Sequence, residues 1–185
     1  MEAVKEVRPH SHGNGQYLTF FVAGEEYAVN ILKVKEIIEY DTVTTVPNTA
    51  PWIRGVTNLR GNVVPVIDLG VKFGLPPSTV SKLSCIVITE VSYDGEKLTI
   101  GVMADSVNQV LDFLENEIET PPPFGTRVRI EFLLGMGKIG KKFCLILDID
   151  KVLSADELLA VSDSKASQST LIPRSSSARA ADSGA

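Results

Sequence analysis

Ile53-Arg54-Gly55-Val56-Thr57-Asn58-Leu59-Arg60-Gly61-Asn62-Val63-Val64-Pro65-Val66-Ile67-Asp68-Leu69 is the stretch of this 185-residue chain whose reading decides the fold. Val63 to Ile67 is too continuously apolar for anything but a largely buried strand. Gly55 and Gly61 permit backbone angles that a side chain would forbid. Arg60 therefore stands at the mouth of a rigid element. No His, Cys or Ser accompanies it as a nucleophile with its base, so the segment reads as a surface for a partner protein rather than as a catalytic site.

The composition, 44% hydrophobic and 22% charged, is that of a globular chain long enough for one domain or two small ones with a common core. A formal net charge of −5, with the basic residues scattered, argues against a nucleic-acid ligand, which would draw its affinity from clustered Lys and Arg. Cys85 and Cys144 each sit inside an apolar run, which suits reduced core thiols in a cytoplasmic protein better than a disulfide framework. Met1 to Gly15 lacks the apolar run of a secretory signal, and no later stretch is long enough to span a bilayer. From Ser162 to Ala185 the chain collapses to Ser, Ala and a few charges, too little apolar surface to offset the entropy of ordering it.

Outward from the central stretch, Tyr17 to Val29 reads as a hairpin around Gly24-Glu25-Glu26. Ile31 to Tyr40 fits a helical face through Ile31, Val34, Ile37 and Ile38, but its β-branched content favours a strand. Pro51-Trp52 can open a short helical turn that ends near Gly55 or Gly61, and Leu69 to Phe73 another before the Gly74 to Pro77 loop. Cys85 to Val91 and Lys97 to Ala104 form a second hairpin, continued by Asp105 to Leu114. Glu115 to Gly125 reads as an acidic, proline-rich connection, Lys142 to Ile149 as a strand, and Ser154 with Glu157 as a capping box that opens a helix through Val161.

The two halves echo each other. Ile53-Arg54-Gly55 and Leu133-Leu134-Gly135 are each followed by a second glycine, Gly61 or Gly140, and then by an apolar strand ending in Asp68 or Asp148. The hairpins at Gly24 and Gly95 also correspond. Any all-β chain offers glycine turns at intervals, but here the parts recur in the same order. The repeat predicts an all-β fold with few, peripheral helices: two antiparallel barrels of about five strands each, joined through an apolar seam.

Residues with catalytic or ligand potential reduce to structural ones. His10 and His12 lie in the polar N-terminal segment, and the cysteines show no metal-ligand spacing, so no metal site is expected. Asp68 and Asp148 are explained by turn capping. Gly135-Met136-Gly137-Lys138-Ile139-Gly140 spells the dinucleotide fingerprint but precedes a strand, so no helix N-terminus is available for a pyrophosphate. Val34 and Glu36, two apart in an extended segment, are expected to share a face, and Glu36 could pair with Arg60. The plainer reading of Glu36 is a solvated carboxylate. Arg60 has the planar fork and the interface enrichment of a recognition residue.

Asn58-Leu59-Arg60-Gly61, followed by Pro65-Val66-Ile67-Asp68-Leu69 and preceded by Val34-Lys35-Glu36-Ile37, resembles the CheW family of bacterial chemotaxis coupling proteins. The resemblance covers roughly Gln16 to Ser162 and includes Asp148-Ile149-Asp150-Lys151-Val152-Leu153. It implies barrels of the Src-homology type, placed over about 16–80 and 84–150 with a C-terminal helix over 151–161; the segment at 1–15 and the tail at 163–185 lie outside it and are read from composition alone as flexible and disordered. It also implies an adaptor with no catalytic activity and no cofactor, cytoplasmic and recruited to membrane-associated receptor arrays. Such an adaptor joins the regulatory domain of the histidine kinase CheA to the cytoplasmic tips of methyl-accepting chemoreceptors. On this resemblance Val34, Glu36 and Arg60, with Val107 and Val110, line the groove that takes the receptor tip, and the kinase contact falls around Gly55, Val56, Asn58 and Asn62. Two departures stand out: Gly70 replaces an arginine that many members carry after Asp-Leu, and Pro51 comes one position later than usual.

Other readings compete with the adaptor. A kinase, or a CheV-type adaptor with a receiver domain, needs further domains for which this chain has no room. A small barrel binding another protein or an oligonucleotide is the remaining alternative, but 6% aromatic residues and net acidity disfavour a stacking, basic groove.

Overall fold

The computed structural model describes residues 15–41, 43–123 and 128–169; His10, His12 and the chain from 170 onward lie outside them. Along the chain run β1 (Gly15–Val22), β2 (Glu25–Asn30), β3 (Val34–Glu39), β4 (Ile53–Leu59), β5 (Asn62–Ile67), α1 (Leu69–Lys72), β6 (Cys85–Tyr93), β7 (Glu96–Ala104), β8 (Ser106–Phe113), β9 (Ile118–Glu119), β10 (Leu133–Ile139), β11 (Lys142–Leu147) and α2 (Ala155–Ser169). Every hairpin expected at a glycine turn forms. Three of the turns, Ala23-Gly24, Arg60-Gly61 and Asp94-Gly95, have positive φ at both central residues, the backbone of a type I′ turn whose twist matches that of the flanking strands.

The fold is all-β with peripheral helices, as expected, but the halves of the chain are not the barrels. One sheet has the order β8-β1-β2-β11-β10-β9 and the other β3-β6-β7-β5-β4. The expected boundaries of 16–80 and 84–150 are therefore corrected: each sheet takes strands from both halves. The repeat itself is real at the level of topology. β1-β2 and β6-β7 are the resident hairpins. In each half the next strand, β3 or β8, crosses to pair with the other half's first strand, and the glycine hairpin, β4-β5 or β10-β11, joins the other half's second strand in parallel. Details recur too: register shifts fall at Gly55 and Gly135, and the N–H groups of Asp68 and Asp148 donate to Trp52 and Phe132 carbonyls, both at 2.8 Å.

Alternation along the strands explains why the sequence reads as near-continuous apolar runs. Tyr17, Ala28, Cys144 and Ile146 point into one barrel, and Val64, Val66, Ile86, Ile88 and Met103 into the other. Their neighbours Leu18, Phe20, Tyr27, Val87, Ile100, Val102 and Leu147 point into a third cluster, the seam between the sheets. Strands buried on both faces have no polar side to show. Aromatic rings cross the seam in file, from Phe20 to Tyr27 to Phe73 to Phe132, with centroids 5.9–6.2 Å apart. Both cysteines are free. Burial, then Glu26, pushes the Cys144 thiol up to about 11, so it stays protonated and behaves as a small apolar side chain.

Smaller expectations need revision. The segment Ile31–Lys33 is a turn of 3-10 helix, capped by the Asn30 side chain accepting from the Leu32 N–H at 2.9 Å, and the strand starts only at Val34. Pro51-Trp52 makes a β-turn, closed by the Ile53 N–H on the Ala50 carbonyl, rather than a helical turn, and the chain up to the Gly61 turn is strand β4. The acidic connection contains β9, which pairs with β10. The helix α2 runs to Ser169, past the expected end at Val161.

The predicted capping box holds α2. Ser154 N–H donates to the Glu157 carboxylate at 2.7 Å and Glu157 N–H to the Ser154 hydroxyl at 3.3 Å. Glu157 also pairs with Lys72, whose ammonium lies 5.1 Å from the Trp52 ring centroid, so the helix is tied to the end of α1. Burial works to raise the Glu157 pKa, but the bonds from Lys72 and Ser154 outweigh it and the net shift is downward. A carboxyl with a depressed folded pKa contributes stability that is present above its ordinary value and lost as pH falls through the depressed one. Acid is therefore expected to loosen α2 before the barrels, and Glu157→Gln to remove that acid-sensitive step. Circular dichroism followed down the pH scale, with amide exchange to locate the loss, checks it; identical acid profiles for both proteins would refute it.

Candidate partner-binding site

The strand β3 carries the first pair of candidate residues, and a bulge separates them. Val34 lies opposite Thr89, but Glu36 lies opposite Ile88. Thr89 and Ile88 are consecutive, so they point to opposite faces, and residues directly paired across a sheet share a face. The extra residue, Lys35, therefore turns Val34 onto the seam and Glu36 onto the other face, which corrects the expectation that the two share one. Val34 accordingly packs against the seam cluster.

A second bulge has the opposite effect. In β8, Val107 lies opposite Phe20 and Val110 opposite Leu18, with two residues of β8 set against Thr19 between them. The Thr19 hydroxyl fills the irregularity, donating to the Gln109 carbonyl at 3.1 Å and accepting from the Gln109 N–H at 3.3 Å. Phe20 and Leu18 both face the seam, so Val107 and Val110, three apart, face it too. Val34, Val107 and Val110 thus share the seam-facing side. Val34 and Val107 are half-buried there, and Val110, 47% exposed, stands on its open margin.

Glu36 finds its partner across the ends of the sheet. The Arg60 guanidinium Nη2 donates to Glu36 Oε2 at 3.1 Å, the expected pair. Although β3 and β4 are the two edges of their sheet, this contact and a backbone bridge bring them around: Thr44 and Val56 exchange N–H···O bonds of 2.8 and 2.9 Å. The Arg60 side chain is 79% exposed against 26% for Glu36, so the cation is presented and the carboxylate is sheltered.

Of the residues placed at a kinase contact, Gly55 and Val56 are corrected to structural roles. Both are buried, and Gly55, at φ +150°, lies so close to the Thr44 backbone that a β-carbon would sit 2.2 Å from its carbonyl oxygen. Asn58 and Asn62 are exposed. The Asn58 carboxamide oxygen accepts the Gly61 N–H at 2.8 Å, a local bond legible in principle from an Asn three residues before a turn glycine.

The capping role expected of Asp68 is present at the start of α1, but its wider anchoring and that of Asp150 escaped the sequence reading. Asp68, fully buried, accepts from the Ser78 N–H and hydroxyl and from the Val71 N–H and lies 3.8 Å from Arg54, which pins the segment between the halves. The buried Gly70 fits beneath it, where a β-carbon would stand 3.1 Å from Asp68 Oδ1. Asp150 pairs with Lys33 at 2.7 Å and accepts the Ser92 N–H at 2.8 Å, which joins the end of the second half to both sheets. Among the described residues no group of His, Cys, Asp and Glu is arranged to hold a metal, and no helix is long and apolar enough to cross a membrane.

The model of the CheW-like domain matches residues 16–157. The chain belongs to the CheW-like family. Among similar proteins, the chemotaxis protein CheW of Klebsiella aerogenes is 37% identical over 146 residues, 79% of this chain and 86% of that one. The chemotaxis protein CheW of Treponema pallidum is 29% identical over 77% of this chain and 84% of its own. The crystal structure of the scaffolding protein TtCheW from Thermoanaerobacter tengcongensis superposes with a TM-score of 0.69 at 33% identity, covering 80% of this chain and 94% of that one. The CheW-like domain therefore occupies both interleaved barrels and the start of α2, and every candidate residue lies inside it.

Proposed function

We propose that this chain is a non-enzymatic chemotaxis adaptor. It couples the regulatory domain of a CheA-type histidine kinase to the cytoplasmic tips of methyl-accepting chemoreceptors, and it works in the cytoplasm at membrane-associated arrays. The observation that carries the reading is the CheW-like match over residues 16–157, which takes in both barrels. The geometry supports it: a seam-facing apolar row of Val34, Val107 and Val110 suits the apolar face of a helical tip, while Arg60, presented beside Glu36, offers a charged anchor. The exposed Asn62 and the outer barrel faces are left for the kinase. Holding two modest interfaces at once gains by effective concentration what each lacks in affinity. A receptor rearrangement can then bias the kinase between packings while the adaptor itself changes little.

The test is a calorimetric titration of the purified chain into a CheA-type regulatory domain, followed by a receptor-tip fragment, with folded Arg60→Ala as the control. Binding to both partners is expected, with only the receptor step weakened by the substitution. Binding to neither would sink the adaptor reading in favour of a barrel with another protein or oligonucleotide ligand. Unchanged receptor binding by Arg60→Ala would sink the site assignment alone.

A further inference from the structure

We infer that Asn58 is a positioning residue for Arg60, an inference that rests on the assignment of Arg60 to the receptor contact. Arg60 is held in an unusual way. It occupies the first central position of the β4-β5 turn at φ +51°, in the left-handed region that an arginine, with a β-carbon and no short polar side chain to bond its own backbone, enters only at a cost. Its side chain is 79% exposed, so packing does not fix its direction. An exposed ion pair such as the one to Glu36 adds little by itself. What holds the arginine is the turn. The turn in its place is clamped by one bond outside the strand ladder, from the Gly61 N–H to the Asn58 carboxamide oxygen at 2.8 Å. Gly61 has φ +86° and nothing within 4 Å of where its β-carbon would be, so no neighbour supports this corner sterically.

Release of that bond lets residue 60 relax towards negative φ. The Cα–Cβ vector of Arg60 then swings, and the guanidinium loses its alignment with the Glu36 carboxylate. Asn58 thus sets the direction of a side chain it does not touch. The binding energy that a preset arginine contributes would otherwise be spent on ordering the turn at the moment of docking. This accounts for Asn58 differently from a direct kinase contact.

The experiment compares the full chain with Asn58→Ala and Asn58→Asp, the latter keeping an acceptor oxygen at the same reach. Affinities for a receptor-tip fragment and for the kinase regulatory domain are measured separately. Gly61 amide exchange and the Arg60 Nε–H resonance are read by NMR. Asn58→Ala is expected to weaken tip binding about five- to tenfold, the worth of one net hydrogen bond. It should also speed Gly61 exchange, shift the Arg60 signal and leave the kinase-domain affinity unchanged; Asn58→Asp should restore all of these. Tip binding unaltered by Asn58→Ala while Arg60→Ala abolishes it would overturn the inference, as would a parallel fall in kinase-domain affinity, which would make Asn58 a contact in its own right. The failure of the receptor reading looks different. In that case Arg60→Ala leaves tip binding intact, and a shifted Arg60 resonance in Asn58→Ala still upholds the positioning role.

Discussion

Gly55→Ala is expected to take away a large part of the stability of this chain. The methyl group would stand 2.2 Å from the Thr44 carbonyl oxygen and 2.7 Å from its carbon, and both belong to backbone that cannot step aside without breaking the Thr44–Val56 bridge. The φ of +150° adds strain for any residue with a β-carbon. Overpacking of this kind costs about 1–3 kcal/mol, and a sparsely populated backbone conformation about as much again. Together these are a large fraction of the roughly 5–15 kcal/mol that holds a domain folded. Thermal unfolding should fall by about 10 °C or more. Gly61→Ala is the matched control, with positive φ but open space, and should lose only about 1 kcal/mol. Equal melting temperatures for the two variants would show that the close approach at Gly55 is not what demands glycine there.

The largest effect on binding is expected from reversing the exposed charge. Arg60→Glu places a carboxylate beside Glu36 and before a partner selected to meet a cation, while leaving the fold to the buried clusters. Hot-spot arginines contribute about 2–4 kcal/mol, so receptor-tip affinity should drop on the order of 30- to 1000-fold. The double variant Glu36→Arg, Arg60→Glu separates two roles. If the pair mattered only to hold β3 to β4, the exchange would restore binding. If Arg60 meets the partner, the exchange restores stability to near the parent value and leaves the tip unbound. Titration and melting of the two variants beside the parent distinguish these outcomes.

The hairpins at Ala23-Gly24 and Asp94-Gly95 were legible because turn chemistry sits directly between their strands, and the capping box at Ser154 and Glu157 is equally local, whereas β4 was read as part of a helical turn and its hairpin at Arg60-Gly61 was missed. The repeat was legible for the same reason. The exchange of strands between barrels was not, since nothing local in Lys142 to Leu147 says that its parallel neighbour is β2 rather than a strand of its own half. The bulges at Lys35 and opposite Thr19 escaped for a related reason. Strict alternation is the only rule a single strand offers, and an extra residue reverses every face beyond it. So Arg60 and Glu36 were found as a pair, and the local clamp at Asn58 was within reach though not read, while the face that Glu36 occupies and the burial of Val56 depend on how the sheet closes.

Because each barrel borrows strands from the far half, neither is complete when only the first half has been made: one closes once β7 has emerged, the other only with the last hairpin. β2 waits for β11, more than a hundred residues downstream, before its outer backbone groups are satisfied. A nascent chain that stalls after β5 therefore exposes raw strand edges rather than one finished barrel. Pairing over such distances is slow, and it leaves strand edges of the growing chain open in the meantime. Its return is indivisibility. No cut between residues 80 and 84 can release one barrel still folded, so the two surfaces proposed for two partners persist, or are lost, as one.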